Sequence, residues 1–212
     1  MTVHVGTDYA VNMLRYDRSE LDDLPNRATA RFAGVGNPHR IGTLEPGETV
    51  VDIGCGGGMD LLVAADRVGP TGRAIGIDPA AAMREASLAS CIDAGVETRV
   101  RILEGTFENL PLPDDSVDVV ISNHVLNLVA DKKKAIREVY RVLVPGGRLH
   151  LADVFLGDKL KESDVAGALL ESEIIEIAID AGFRDCRIVE RFDGVHGGNF
   201  FAQKTRDVKE NL

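Results

Sequence analysis

A short run rich in β-branched residues, Thr49–Ile53, passes directly into Gly54-Cys55-Gly56-Gly57-Gly58. Val50, Val51 and Ile53 suit a strand buried on both faces. The glycines let the backbone reverse sharply and approach a ligand closely, because no Cβ stands in the way. Such a turn opens the first unit of an open parallel α/β sheet, where ligands bind beyond the carboxyl ends of the strands. Asp52 stands at that end. A dinucleotide fingerprint would place glycines at 54, 56 and 59, but position 59 is Met59. The pattern present is Asp-x-Gly-x-Gly-x-Gly. An acid beside the turn suits a ligand that carries an ammonium group and no phosphate. Glycine-rich turns also arise for packing reasons alone, so the rest of the chain has to weigh in.

From Thr49 onward, short β-branched runs alternate with amphipathic stretches, the pattern of a parallel sheet covered by helices. Strands are expected at Thr49–Ile53, Arg73–Ile77, 99–104, 117–122 and 148–153, with two closing strands at 186–190 and 199–203 joined by a loop at 194–198. A helix over 131–143 places Ala135, Val139, Val142 and Leu143 on one stripe, and Pro145-Gly146-Gly147 stops it and turns the chain. Leu170, Ile174, Ile177, Ala178 and Ala181 form a second stripe, stopped by Gly182. Ahead of Thr49 the pattern is weaker, with short helices expected at 8–15, 19–23 and 37–42. The chain therefore divides into a helical cap over the ligand edge (residues 1–48), an α/β domain (49–205) and a polar tail (206–212). Its 212 residues suffice for one such domain.

Composition narrows the partners. A formal net charge of -10 disfavours a phosphate-backbone ligand, so no nucleic-acid partner is expected. The basic run Lys132-Lys133-Lys134 opens a helix, precedes Glu138, and reads as a solvated helix face. No apolar stretch approaches the ~18 residues that span a bilayer, so no membrane partner is expected. Cys55, Cys91 and Cys186 are scattered without a CxxC pair, which excludes a recognisable zinc or disulfide framework and fits a reducing compartment. With no signal-peptide pattern at Met1 to Asp8, the expectation is a cytoplasmic protein acting as a monomer or homodimer.

Three further segments belong with the turn. The second strand ends in Gly76-Ile77-Asp78-Pro79, placing Asp78 26 residues after Asp52, one strand–helix–strand unit away. An acid there can accept hydrogen bonds from both hydroxyls of a ribose. Met83 follows at a helix start, either covering a flat ring or serving as a core methionine. Past the third strand, Glu104-Gly105-Thr106-Phe107-Glu108-Asn109-Leu110-Pro111 offers a backbone amide and small polar side chains. The fourth strand ends in Ser122-Asn123-His124 at the mouth of the site.

These blocks, in order from Thr49 to Asp153, resemble the class I S-adenosyl-L-methionine (SAM)-dependent methyltransferases of the UbiE/type 11 kind. The resemblance implies a Rossmann-like seven-stranded sheet, order 3-2-1-4-5-7-6 with strand 7 antiparallel, and helices on both faces. It implies SAM as cofactor and S-adenosyl-L-homocysteine as product. Asp52, Gly54, Gly56, Asp78, Pro79, Thr106, Phe107 and Asn123 would then line the cofactor. Cys55 and Asp60 in the turn and at the start of its helix, together with Met83 and His124, complete that set. Tyr9 would reach the sulfonium from the cap, since aromatic rings favour cations, or else serve as an ordinary core tyrosine.

A narrower resemblance is to the arsenite methyltransferase family. It rests on Pro46-Gly47-Glu48-Thr49-Val50, Val68-Gly69-Pro70-Thr71-Gly72, His124-Val125-Leu126-Asn127-Leu128 and Gly34-Val35-Gly36-Asn37-Pro38. Two departures stand out. Val35 occupies the position of one arsenic-binding cysteine, and Ser163-Asp164-Val165-Ala166, where the second is looked for, contains none and looks shortened. Trivalent arsenic seeks thiolates, so such a site has lost its natural ligands. The expected activity is methyl transfer to a small-molecule acceptor. The alternatives are arsenite or metalloid methylation with external thiols, and SAM binding without catalysis. A general base is not demanded by an in-line displacement. The first candidate for one is His124, which also reads as a rim histidine that merely packs or touches the cofactor; His39 and His196 are further candidates.

Overall fold

The computed structural model describes residues 5–156, 167–192 and 197–205. Its strands are β1 (Thr49–Ile53), β2 (Arg73–Ile77), β3 (Val100–Leu103), β4 (Val117–Asn123), β5 (Leu143–Leu156), β6 (Leu169–Leu170), β7 (Phe183–Phe192) and β8 (Gly197–Lys204). Its helices are α1 (Thr7–Leu14), α2 (Arg18–Asp22), α3 (Asn26–Thr29), α4 (Met59–Arg67), α5 (Ala81–Asp93), α6 (Lys132–Val142) and α7 (Glu171–Ala181). The strand order is β3-β2-β1-β4-β5-β8-β7, with the two-residue β6 added alongside β5. Setting β6 aside, this is the expected order 3-2-1-4-5-7-6, and the strand between β5 and β7 runs antiparallel to both.

Strand alternation explains why β1 holds the centre. Val51 and Ile53 face a core shared with Ile136, Val139 and Leu149, while Val50 packs with Ala64 and Val68 of the α4 side. Asp52, on the α4 side, therefore comes out at the carboxyl end of the sheet beside the start of α4. Each fully buried Val or Ile here contributes about 1.5–3 kcal/mol. Among the described residues, no helix is long and apolar enough to cross a membrane.

The structure departs from the sequence reading where long-range pairing decides. β5 begins at Leu143, directly after α6, rather than after Pro145-Gly146-Gly147. Val117 pairs with Leu143 and Val119 with Arg148, so the Pro-Gly-Gly segment is a bulge within the strand instead of a turn before it. β7 and β8 extend beyond the expected spans because their antiparallel ladder runs from Phe183 opposite Lys204 to Phe192 opposite Gly197. The stretch expected as a helix at 37–42 is a single 3-10 turn, Pro38–Arg40, and α3 and β6 were not foreseen. Loop residues 194–196, the segment 163–166 and the tail 206–212 lie outside the described residues.

One core residue is polar without compensation. His150 of β5 is fully buried against Phe201, and neither ring nitrogen has a hydrogen-bond partner. Burial, with the nearby Arg148 charge, pushes its pKa down to about 3. The folded protein thus keeps this imidazole neutral, whereas the unfolded chain protonates it near pH 6.5. Stability is intact above that pH and falls by about 1.4 kcal/mol per unit as the pH drops below it. Urea denaturation of wild type and His150→Phe between about pH 7 and about pH 5 should show the variant losing less stability. Parallel losses in the two proteins would refute this account.

Candidate functional site

The turn after β1 is clamped to β2 before any ligand is considered. Gly54 N and Cys55 N both donate to Ile77 O, at 2.7 and 3.2 Å. Gly54 has φ +75°, and a Cβ there would stand 2.3 Å from Val125 Cγ2, so only glycine fits between β1 and the loop after β4. That loop is held in turn by Asp153, whose Oδ2 accepts from Val125 N (3.0 Å) and Leu126 N (2.7 Å). Burial raises the Asp153 pKa, and the Val154 amide, with those of Leu126 and Asn127, works against the rise.

Between the turn and the start of α5 lies a cavity of ≈ 390 Å³, a size suited to a small ligand. Its floor is Asp52, Gly54 to Gly57 and Asp60; Ala82, Met83 and Ala86 of α5 form one side, and Asn123, His124 and Val125 another. Residues from Arg27 to Gly34 provide the remaining wall. Clefts of ≈ 520 Å³ lined by Arg73 and Arg101 and of ≈ 550 Å³ beside Arg40 exist elsewhere, away from the carboxyl ends of the strands.

Three buried carboxyl groups lie close together here, Asp52 and Asp60 lining the cavity and Asp78 behind its turn, and they are not equally satisfied. Asp78 accepts from Gly56 N through Oδ2 (3.1 Å) and from Ala80 N through Oδ1 (2.9 Å). Asp60 accepts from the Tyr16 hydroxyl (2.7 Å) and from Asn123 Nδ2 (3.1 Å), and His39 Nε2 approaches to 3.2 Å without hydrogen-bonding geometry. Asp52 is 2% exposed, and its Oδ2 has no hydrogen-bond partner. Burial, then the neighbouring Asp60 and Asp78, push the Asp52 pKa well above the usual carboxylate range. Burial and Asp60 likewise hold Tyr16 as a neutral phenol. Among the described residues, no group of three or more His, Cys, Asp or Glu side chains is arranged to hold a metal ion.

Of the residues singled out from sequence, Asp52, Gly54, Cys55, Gly56, Asp60, Met83, Asn123 and His124 line the cavity. Cys55 is buried, and desolvation followed by the Asp52 charge raises its thiol pKa. Asp78 and Pro79 stand behind the turn, with Asp78 touching the floor through Gly56. Tyr9 supports the wall from outside, donating its hydroxyl to Gly34 O at 2.9 Å. Thr106 is folded into a tight pair with Asn109, and Phe107, 3% exposed, belongs to the large core. The structure thus brings neither Thr106 nor Phe107 to the cavity lining. His39 lies behind Asp60, and His196 is outside the described residues.

His124 has a left-handed backbone, φ +63°, an uncommon state for a non-glycine residue. Its Nδ1 lies 3.0 Å from Ala33 O. The wall itself was not read from sequence. Gly34 had been noted only for the acceptor side, yet a Cβ there would meet Asn123 Nδ2 at 2.4 Å. Val35 donates its N–H to Asn123 Oδ1, and its side chain packs with Val154, Leu156 and Ala168 in an apolar cluster. Tyr16 carried no local signal beyond being an aromatic residue just after a short helix.

Residues 51–151 match the sequence family described as "Methyltransferase domain". The chain is 35% identical over 188 residues to an arsenite methyltransferase of Halobacterium salinarum, covering 84% of this chain and 48% of that protein. It is 39% identical over 105 residues to the ubiquinone/menaquinone biosynthesis C-methyltransferase UbiE of Vibrio vulnificus, covering 49% and 40% respectively. The fold is similar to that of an arsenic (III) S-adenosylmethionine methyltransferase from Chlamydomonas reinhardtii, with TM-score 0.72 and 30% identity, covering 92% of this chain and 74% of that one. The chain spans about half the length of the curated relatives it matches.

The Asp60 junction makes a direct expectation. Tyr16→Phe removes a buried hydroxyl bonded to a carboxylate, a change that costs about 1.5–3 kcal/mol. Urea denaturation should register that loss; an unchanged midpoint would mean the hydroxyl is not holding Asp60.

Proposed function

The chain belongs to the class I SAM-dependent methyltransferases, and from that premise we propose that it binds SAM in the cavity beside Asp52 and methylates a small-molecule acceptor. The observation that carries the reading is the bare Oδ2 of Asp52, a buried carboxylate oxygen on a residue that lines a ligand-sized cavity, with Asp60 in the same lining and Asp78 behind the turn. A cationic ligand resolves that imbalance, whereas a pyrophosphate would worsen it.

The residues suit this cofactor. Asp52 and Asp60 hold the ammonium, and Asp78 at the end of β2 takes the ribose hydroxyls. Met83, 42% exposed on α5, covers the adenine. When bound, SAM supplies a methyl group activated on sulfur, and the protein's contribution is alignment and exclusion of water. Asn123 fixes the mouth by donating to Gly36 O and Asp60 while accepting from Val35 N. The contact of His124 Nδ1 with Ala33 O places the hydrogen on Nδ1 and leaves Nε2 as the basic nitrogen, free to take a proton from an acceptor.

The acceptor in this reading is not arsenite. Val35 stands where the arsenite family's motif carries a cysteine, and its surroundings are Val154, Leu156 and Ala168 rather than thiols. A cytoplasmic site of action is part of the reading, supported by three free cysteines. The net charge of -10 argues against a nucleic-acid acceptor.

Calorimetric titration should detect SAM binding, weakened by about tenfold or more in Asp78→Ala. Absence of SAM affinity in the wild type would end the proposal. Purified protein given SAM and arsenite, with and without glutathione, should yield no methylated arsenic; formation of product would reinstate the metalloid as acceptor.

A further inference from the structure

Asp52 and Asp60 of the cavity floor and Asp78 behind the turn differ in what they lack, and the difference identifies which one responds to the ligand. Asp78 has two backbone amides, and Asp60 has a phenol and a carboxamide with an imidazole close behind. Both carboxylates have their negative charge met by fixed donors. Asp52 has the Leu61 amide as its one compensating contact and an Oδ2 with none, at 2% exposure. Three buried negative charges cannot be held close together at little cost, and the least compensated carboxyl group is the one that keeps a proton.

We propose that Asp52 is protonated in the cofactor-free protein and releases that proton to solvent when the ammonium of SAM binds, which ties cofactor affinity to pH. The proposal rests on the SAM-binding reading above. The balance is simple: the protonated carboxyl and the cationic ligand give a carboxylate–ammonium pair, and the proton leaves to the buffer. No bond of the cofactor is made or broken.

The groups facing Asp52 support this assignment from every side. Asp60 of α4 and Asp78 at the end of β2 both raise its pKa, in addition to burial. The Cys55 thiol in the turn and the Tyr16 phenol from the amino-terminal segment are themselves raised by burial and neighbouring acids, so neither has a proton to give near neutral pH. Asn123 of β4 does not titrate. His39 faces Asp60, not Asp52, and a variant there separates any contribution of its own.

The direction of the pH effect follows. Below the raised Asp52 pKa, deprotonation must accompany binding, so affinity rises with pH by up to about tenfold per unit; above it the dependence vanishes. Calorimetric titration of the full chain with SAM and with S-adenosyl-L-homocysteine, each in two buffers of different ionisation enthalpy, counts the protons released. Both ligands carry the ammonium, so both should release up to one proton per site, and the dissociation constants should fall as pH is raised from about 5 to about 8. His39→Gln should retain the release, and Asp52→Asn should abolish it.

Binding without proton release, with a dissociation constant flat across that range, would overturn the linkage while leaving the SAM-binding reading intact. Release that persists in Asp52→Asn, or that disappears in His39→Gln, would overturn the assignment to Asp52. If Asp52→Asn does not fold, the wild-type proton count and the His39→Gln result still decide. No binding of either ligand at any pH would remove the SAM-binding reading and this proposal with it.

Discussion

Asp60 is where the amino-terminal segment is fastened to the sheet. It belongs to the first turn of α4, yet its two oxygens accept from Tyr16, before the sheet begins, and from Asn123, at the end of β4. Asn123 extends the junction to Gly36 O and Val35 N. Three parts of the chain far apart in sequence thus meet at one carboxylate. The cavity depends on it, because the sheet supplies the floor and α5 one side, but the wall from Arg27 to Gly34 comes from outside the sheet. A half-exposed ion pair such as Arg27 with Asp93 contributes little to holding that wall in place. Buried hydrogen bonds to a charged group are worth considerably more.

What the sequence made legible and what it hid follow a physical divide. β1 and β2 have the bounds expected of them, because their signals are local: β-branched residues, then glycine or proline. The approach of Asp78 to the turn that follows Asp52 was also visible, since one strand–helix–strand unit separates the two acids. The bulge at Pro145-Gly146-Gly147 was hidden because the same three residues read as a helix stop, and only pairing with β4 keeps them inside a strand. Phe107, assigned to the site through resemblance, is buried in the core cluster that holds Val120 and Ile136. Tyr16 and the Arg31 to Gly34 wall leave no periodic trace, as their role exists only once distant segments have met.

The two ends of the site show different degrees of specialisation. On the cofactor side, tolerance is small: Gly54 admits no Cβ against Val125, and Asp153 pins the loop beyond it with two amides. Around Val35, by contrast, Val154, Leu156 and Ala168 make an ordinary apolar cluster, the kind of packing that accepts conservative exchange with little penalty. A site rigid at one end and permissive at the other can keep its donor chemistry while its acceptor changes.

The wall from Arg27 to Gly34 contains one helix of four residues and otherwise irregular chain, anchored by polar contacts at its edges. Segments of that kind open as local units at a free energy well below that of global unfolding. Here that tendency is opposed by Ala28, which is buried in one cluster with Cys55, Leu61 and Leu62, so the wall is tied to α4 as well as to the turn. Asp60 therefore belongs to both parts at once: a shift of the amino-terminal segment would be felt at the floor, and a change at the floor would loosen the wall.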